Sequence, residues 1–329
     1  VETRYSGLQP HLANSVLSLI LLPTERCNFR CTYCYEEFAH GRMRPGVVSG
    51  VKRFLSCRVP DLEQLSIGWF GGEPLLACDI IDEIQSHAHE LARRHSRMGF
   101  FASMSTNGYL LDRATCERLV ELGVCQFQIS VDGPREVHDG RRKLAGGGGT
   151  FDRIWDNLIA IRKIEAPFEI VVRVHIDGAN HSAIPRFLEE YSRSFGEDDR
   201  FKLLLRHTSR LGGPRDDTIC VLQGESGERV IDEARETARR MGLQRFHPAS
   251  VPVCYASTAN TFVVRSDGTL GKCTVALTDS ENSVGRLFED GRVDIDPEKM
   301  KLWMRGLFTG NADELACPLR FRQIELEKP

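Results

Sequence analysis

Between Val16 and Arg206, short runs of β-forming apolar residues alternate six times with longer stretches of helical period. Strand followed by helix, repeated, is satisfied by a parallel sheet, because each helical crossover returns the next strand in the same direction. The candidate strands are 16–22, 65–70, 99–105, 126–131, 168–175 and 201–206. The clearest helices between them place Ile80, Ile81, Ile84, Ala88 and Leu91 on one face, and likewise Phe151, Ile154, Trp155, Leu158 and Ile161. Six units fall two short of a closed eightfold barrel, so the expected class is α/β, with an open partial (β/α)6 TIM-type barrel. After Arg206 the alternation stops. Residues 207–225 read as a loop around Gly212-Gly213-Pro214 and Asp216-Asp217, and 229–241 as a connecting helix. The expected organisation is an N-terminal extension (1–15), the barrel (16–206), a linker with its helix (207–250) and a small α+β domain (251–329).

Length and charge narrow the function. A chain of 329 residues that is 41% hydrophobic can bury a large core. The early apolar run 16–22 is too short to span a bilayer, and no basic segment precedes it as in a secretion signal. A cytoplasmic location without membrane association is expected. A net charge of −3 gives no electrostatic reason to expect a nucleic-acid partner.

Eleven cysteines are many for such a chain, and cytoplasmic disulfides rarely persist, so metal ligation is the better explanation for those that cluster. Three lie within eight residues, Cys27, Cys31 and Cys34, just beyond the first strand. They supply one ligand too few for closed tetrahedral zinc, whereas an Fe–S cluster on three thiolates keeps one iron open for a ligand that is not protein. Spacing alone also fits zinc completed by another residue, or unrelated thiols. Cys57, Cys78, Cys116, Cys125 and Cys220 stand apart and read as inert buried thiols.

Further loops follow the predicted strands: Gly71-Gly72-Glu73-Pro74, Ser105-Thr106-Asn107-Gly108 and Ser130-Val131-Asp132-Gly133-Pro134. Each can be read as turn chemistry. Together with the cysteines they share the rim where parallel βα barrels build their sites. The glycines would let backbone approach a ligand, and Glu73 offers an acceptor for an ammonium group. Gly146-Gly147-Gly148-Gly149 lacks the Gly-Lys-Ser/Thr of a phosphate loop and reads as a hinge or lid before a helix that Thr150 would cap.

The C-x3-C-x2-C spacing with Tyr33 before the third cysteine, followed by Gly71-Gly72-Glu73-Pro74, resembles the radical S-adenosylmethionine (SAM) superfamily. The resemblance implies a [4Fe-4S] cluster on Cys27, Cys31 and Cys34 whose open iron binds SAM. Reductive cleavage then yields a 5′-deoxyadenosyl radical that abstracts a substrate hydrogen. It implies SAM contacts from Tyr33, Gly71, Gly72, Glu73, Pro74, Ser105, Asn107, Ser130 and Arg142, with Arg142 near the SAM carboxylate and Arg141 as its competitor. A flavodoxin- or ferredoxin-type electron donor is implied as well.

A second set, Cys254, Cys273 and Cys317, brackets alternating β-formers around Asp267-Gly268, a hairpin that would bring Cys254 and Cys273 together. The order C-x13-G-x4-C resembles the twitch and SPASM domains that carry auxiliary [4Fe-4S] clusters. It departs from the fuller SPASM pattern, since Cys317-Pro318-Leu319-Arg320 has no partner cysteine three residues on. A fourth ligand would come from Cys220, a histidine, a carboxylate, backbone or substrate. Zinc, or three free thiols, remains an alternative. Lys272 and Asp279 beside this site read as solvated charges.

The combined motifs resemble the branch that modifies peptides and proteins. Sulfatase maturases of that branch place an Asp base directly after the second auxiliary cysteine; here Thr274 stands there. The expected activity is hydrogen abstraction from a ribosomally made precursor peptide, forming a C–C, C–S or C–O crosslink. Little chain precedes the first strand, so leader recognition would fall to a separate protein or to the barrel or twitch surface. The alternatives are a twitch-type dehydrogenase or epimerase acting on an aminosugar or another small molecule, and a non-catalytic zinc or Fe–S protein.

Overall fold

The computed structural model describes residues 11–244 and 253–321. The first ten residues of the N-terminal extension, the end of the linker (245–250), and residues 251–252 and 322–329 of the terminal domain lie outside the described residues. The strands are β1 (Val16–Leu21), β2 (Phe29–Cys31), β3 (Gln64–Trp69), β4 (Gly99–Thr106), β5 (Val124–Ser130), β6 (Arg142–Leu144), β7 (Glu169–Ile176), β8 (Phe201–His207), β9 (Thr261–Val264), β10 (Thr269–Gly271), β11 (Gly285–Leu287) and β12 (Val293–Ile295). The helices are α1 (Pro45–Arg58), α2 (Cys78–Arg94), α3 (Arg113–Glu121), α4 (Arg135–Arg141), α5 (Phe151–Ile161), α6 (Ile184–Phe195), α7 (Gly224–Arg240), α8 (Pro297–Thr309) and α9 (Ala312–Ala316).

The six expected strands form the parallel run β1-β3-β4-β5-β7-β8, each starting and ending within two residues of its predicted bounds. Alternation explains their burial. Leu17, Leu19 and Leu21 of β1 are buried, and Leu65, Ile67 and Trp69 of β3 repeat the pattern. The helices cover the sheet with their apolar stripes: Ile80, Ile81, Ile84 and Ala88 of α2, and Phe151, Ile154, Leu158 and Ile161 of α5, are buried.

Two features depart from the sequence reading. The predicted hairpin forms as β9 and β10, but β9 pairs in parallel with β1, so β9 to β12 continue the barrel sheet into ten strands. This pairing joins residues about 240 apart, which local periodicity cannot reveal. Second, α5 is not capped by the Thr150 hydroxyl. Asp139 accepts the Thr150 and Phe151 amides at 2.7 and 2.9 Å, freeing the Thr150 hydroxyl to donate to the Arg142 carbonyl.

Candidate active site

The cysteine loop leaves β1 and is held from both sides. The antiparallel pair β2–β6 sets Cys31 opposite Arg142, and the Thr32 amide donates to the Arg141 carbonyl. On the other side, Gly71 and Gly72 pass against the backbone of Thr24 to Arg26. A Cβ on Gly71 (φ +115°) would sit 2.3 Å from the Thr24 oxygen, and one on Gly72 2.5 Å from the Arg26 oxygen. Both glycines also line the cavity, so besides the approach to a ligand expected of them they are required by contact with the chain entering the cysteine loop.

A cavity of about 430 Å³ opens at the C-terminal strand ends, lined by Cys27, Cys31, Cys34, Tyr33, Gly71, Gly72, Ser105, Asn107, Ser130 and Arg142. Two predicted contacts do not line it. Pro74 is buried at the start of a 3-10 turn. Glu73 is fully buried, and its carboxylate accepts from the Thr106 hydroxyl (2.7 Å) and the Asn107 and Leu75 amides (2.7 and 3.1 Å). Burial first of all raises its pKa, against these hydrogen bonds. Glu73 thus ties the loop after β3 to the end of β4.

Asn107 serves two purposes. Its Oδ1 accepts the Tyr109 amide, the expected turn, while Nδ2 donates to Asn28 Oδ1 at 2.7 Å, beside Cys27. The neighbouring arginines separate cleanly. Arg141 forms a two-pronged bond to Asp177 at 3.0 and 2.8 Å, whereas Arg142 lines the cavity and donates to the Tyr33 hydroxyl at 2.7 Å.

Behind Tyr33 lies a buried polar knot. The Tyr33 hydroxyl donates to Asp132, and Asp132 Oδ1 also lies 3.0 Å from the His175 amide and 3.1 Å from His175 Nδ1. Burial pushes the Asp132 pKa up, but the His175 hydrogen bond and the nearby Arg142 and Arg141 outweigh it and hold the carboxylate well below its ordinary value. His175 is pushed down by burial, which favours a neutral ring that donates to Asp132.

Sequence reasoning missed several cavity residues. Glu36 lines it, its carboxyl pushed up to about 8 by burial first and then by Glu25 and Glu73, against Arg265. Arg173, His175, His207 and Thr208 line its β7–β8 end. The available signal was a polar residue at every second position near the end of β7, Arg173 and His175 amid Val172, Val174 and Ile176.

Among the described residues, no three His, Cys, Asp or Glu side chains converge on a ready-made metal position. The donor chemistry nonetheless fits a cluster. Three thiols meet one cavity beside the Arg142 cation, and burial pushes Cys27 up to about 12 and Cys34 up to about 11. Such protons are displaced when cationic iron provides the counter-charge.

The thiols of the second set lie near enough to one another to interact electrostatically. The Cys254 amide donates to the Leu315 carbonyl, Cys317 directly follows α9, and the Cys254 and Cys273 thiols are raised by burial and further by neighbouring thiols of the set. Asn282 Oδ1 accepts the amides of Lys272 and Cys273 at 2.8 and 2.9 Å. Lys272 is not solvated. It is fully buried, its ammonium donating to the Thr258 and Thr261 carbonyls, and burial lowers its pKa to about 7. Asp279 accepts the Glu281 amide in a turn. Cys220 packs against Gly178 of the β7–α6 loop, and it and Cys57 are exposed rather than buried.

The two sites share a wall. Tyr255 and Thr274, which follow Cys254 and Cys273, line the main cavity, and their hydroxyls are 2.8 Å apart. A two-pronged ion pair, partly exposed Arg265 to buried Glu25 at 2.6 and 3.1 Å, fastens the hairpin to the segment entering the first cysteine loop.

Comparison with known proteins agrees with this geometry. The chain is 31% identical over 193 residues to the cysteine-type anaerobic sulfatase-maturating enzyme of Clostridium perfringens, covering 54% of this chain and 50% of the relative. It is 31% identical over 166 residues to the Fe-coproporphyrin III synthase of Methanosarcina barkeri, covering 50% and 38%. The chain spans about half the length or less of these relatives. Among solved structures, anSMEcpe with bound AdoMet and a peptide superposes with a TM-score of 0.63 at 24% identity, covering 88% of this chain and 83% of that one. Streptococcus suis SuiB bound to precursor peptide SuiA gives 0.60 at 13% identity, covering 94% and 70%. Both likenesses concern the fold. Among the described residues no helix is long and apolar enough to cross a membrane. The model of the radical SAM superfamily matches residues 21–190, just over half of the sequence, and the chain belongs to that superfamily of enzymes.

Proposed function

We propose that this enzyme modifies a ribosomally made precursor peptide, removing hydrogen from one residue and forming a C–C, C–S or C–O crosslink. The observation that carries the reading is the shared cavity, which reaches from the first three thiols to Tyr255 and Thr274 beside the second set. The related sulfatase-maturating enzymes and the fold shared with peptide-bound anSMEcpe and SuiB add support.

In this reading Cys27, Cys31 and Cys34 hold a [4Fe-4S] cluster, and Cys254, Cys273 and Cys317 hold an auxiliary one. When bound, the first cluster and SAM supply a carbon-centred radical able to remove a substrate hydrogen. The residues of the chain bind and orient. The backbone at Gly71 and Gly72, with Ser105, Asn107, Ser130 and Arg142, would hold SAM, and Asp132 and Tyr33 keep the Arg142 guanidinium in place. Thr274 stands where sulfatase maturases carry an Asp base. A threonine hydroxyl is a poor base at neutral pH, so sulfatase maturation is disfavoured. A flavodoxin- or ferredoxin-type protein donates the electron, a separate protein or the barrel surface recognises the leader, and the setting is cytoplasmic.

Co-expression with precursor peptides encoded nearby, followed by mass spectrometry, tests the proposal. The expected product has lost two hydrogen atoms per crosslink. Unchanged mass for every neighbouring precursor, with active SAM cleavage, would reject the peptide reading in favour of a small-molecule dehydrogenase or epimerase.

A further inference from the structure

At the β7–β8 end of the cavity a cation lacks a counter-charge. Arg173 stands beside Ser130 in the β5–β7 register, and both line the cavity. Its Nε is buried without a hydrogen-bond partner, and among the described residues its guanidinium makes no ion pair. The nearby carboxylate Asp132 is already taken up by Tyr33 and His175. Glu36, an acidic group that lines the cavity itself, forms no ion pair with Arg173.

On the same wall, where β8 ends and the Thr208 amide donates to the Ile176 carbonyl, Thr208 is 2% exposed and its hydroxyl has no partner. The His207 ring also lines the cavity and makes no hydrogen bond, although its Nε2 is 3.5 Å from the exposed Glu228 carboxylate. Leaving the Arg173 Nε and the Thr208 hydroxyl buried without partners costs folding free energy. Such a pair is explained when a ligand supplies the missing acceptors. The planar fork of arginine matches the two oxygens of a carboxylate.

We infer that Arg173 and Thr208 form a carboxylate subsite that positions the substrate. Resting on the peptide reading above, the ligand is an aspartate or glutamate side chain, or a terminal carboxylate, beside the residue that reacts. The same chemistry could instead come from the methionyl carboxylate of SAM, so the experiment separates the two sources.

The probes are N-acetyl-aspartate N-methylamide and its neutral asparagine counterpart, titrated into anaerobically reconstituted, SAM-loaded protein. The parent is expected to prefer the acid by about tenfold, the scale of one charge-assisted hydrogen-bond pair. Arg173→Gln should bring the two probes within about twofold of each other, Arg173→Lys should keep part of the preference, and Thr208→Val should reduce it about threefold. The ratio of affinities for SAM and decarboxylated SAM should be the same in Arg173→Gln as in the parent. Circular dichroism and iron content establish that Arg173→Gln is folded; should it not fold, the near-isosteric Thr208→Val carries the comparison. Equal binding of both probes by the parent overturns the inference, as does collapse of the SAM to decarboxylated-SAM ratio in Arg173→Gln. Acid preference that depends on Arg173, in an enzyme that leaves every precursor peptide unmodified, supports the subsite while rejecting the peptide reading.

Discussion

Replacing Asp132 with asparagine tests whether the buried knot behind Tyr33 is held by charge. Asp132 is fully buried, takes the Tyr33 hydroxyl on Oδ2 and the His175 amide and ring on Oδ1, and lies 3.7 Å from Arg141 Nε. Asparagine keeps the shape but offers one acceptor oxygen and sets an NH2 group against a donor. It also strips the negative charge from beside Arg142, which is 7% exposed. Removing one member of a buried charge pair costs about 3–5 kcal/mol, and relief of the carboxylate's own desolvation places this case near about 3 kcal/mol. For a chain of this length that corresponds to a melting shift of about 4–5 °C. The assay is urea unfolding of iron-free protein followed by circular dichroism, so that cluster loss does not contribute. In a double-mutant cycle with Arg142→Met the coupling should reach about 1.5 kcal/mol or more. A destabilisation under about 1 kcal/mol, or additive effects of the two changes, would refute the reasoning.

Two further outcomes follow from the same geometry. Gly72→Ala places a methyl group 2.5 Å from the Arg26 oxygen and 2.8 Å from that of Glu25, so the cysteine loop must move; a loss of about 1–3 kcal/mol and less than half the parental iron content after reconstitution are expected, measured by urea titration and iron analysis. His138 is fully buried, bonded to Thr150 and to the Asp132 amide, and burial lowers its pKa to about 4, aided by Arg142 and against Asp132 and Asp139. The unfolded chain therefore takes up the His138 proton first on acidification. Its contribution, about 3 kcal/mol, is complete above pH 6.5 and lost as pH falls toward about 4; a His138→Asn variant should show a flatter pH profile of unfolding across that interval.

Much of this architecture is legible locally. The βα alternation places six strands, because the burial of Leu17, Leu19 and Leu21 and the stripes of α2 and α5 follow directly from spacing. Asp267-Gly268 marks the hairpin, where Gly268 has φ +93°. Long-range choices are not legible in this way. Nothing near Thr261–Val264 announces a parallel partner in β1, and nothing near Lys272 shows that the carbonyls of Thr258 and Thr261 will receive its ammonium. The candidate site divides similarly. Its cysteines, glycines and serines are read from motifs, whereas Glu36, Arg173 and Thr208 reach the cavity through tertiary packing that no motif encodes. Glu73 is a motif residue whose structural work, tying β4 to the loop after β3, is visible only once Thr106 and Asn107 are seen to donate to it.

The central claim is that the thiols at the end of the first strand support reductive cleavage of SAM. Anaerobic protein given iron, sulfide, SAM and dithionite should release 5′-deoxyadenosine, and simultaneous replacement of Cys27, Cys31 and Cys34 by alanine should abolish that release along with the iron they bind. Release that persists after the replacement, or none from the fully loaded parent, would contradict the account.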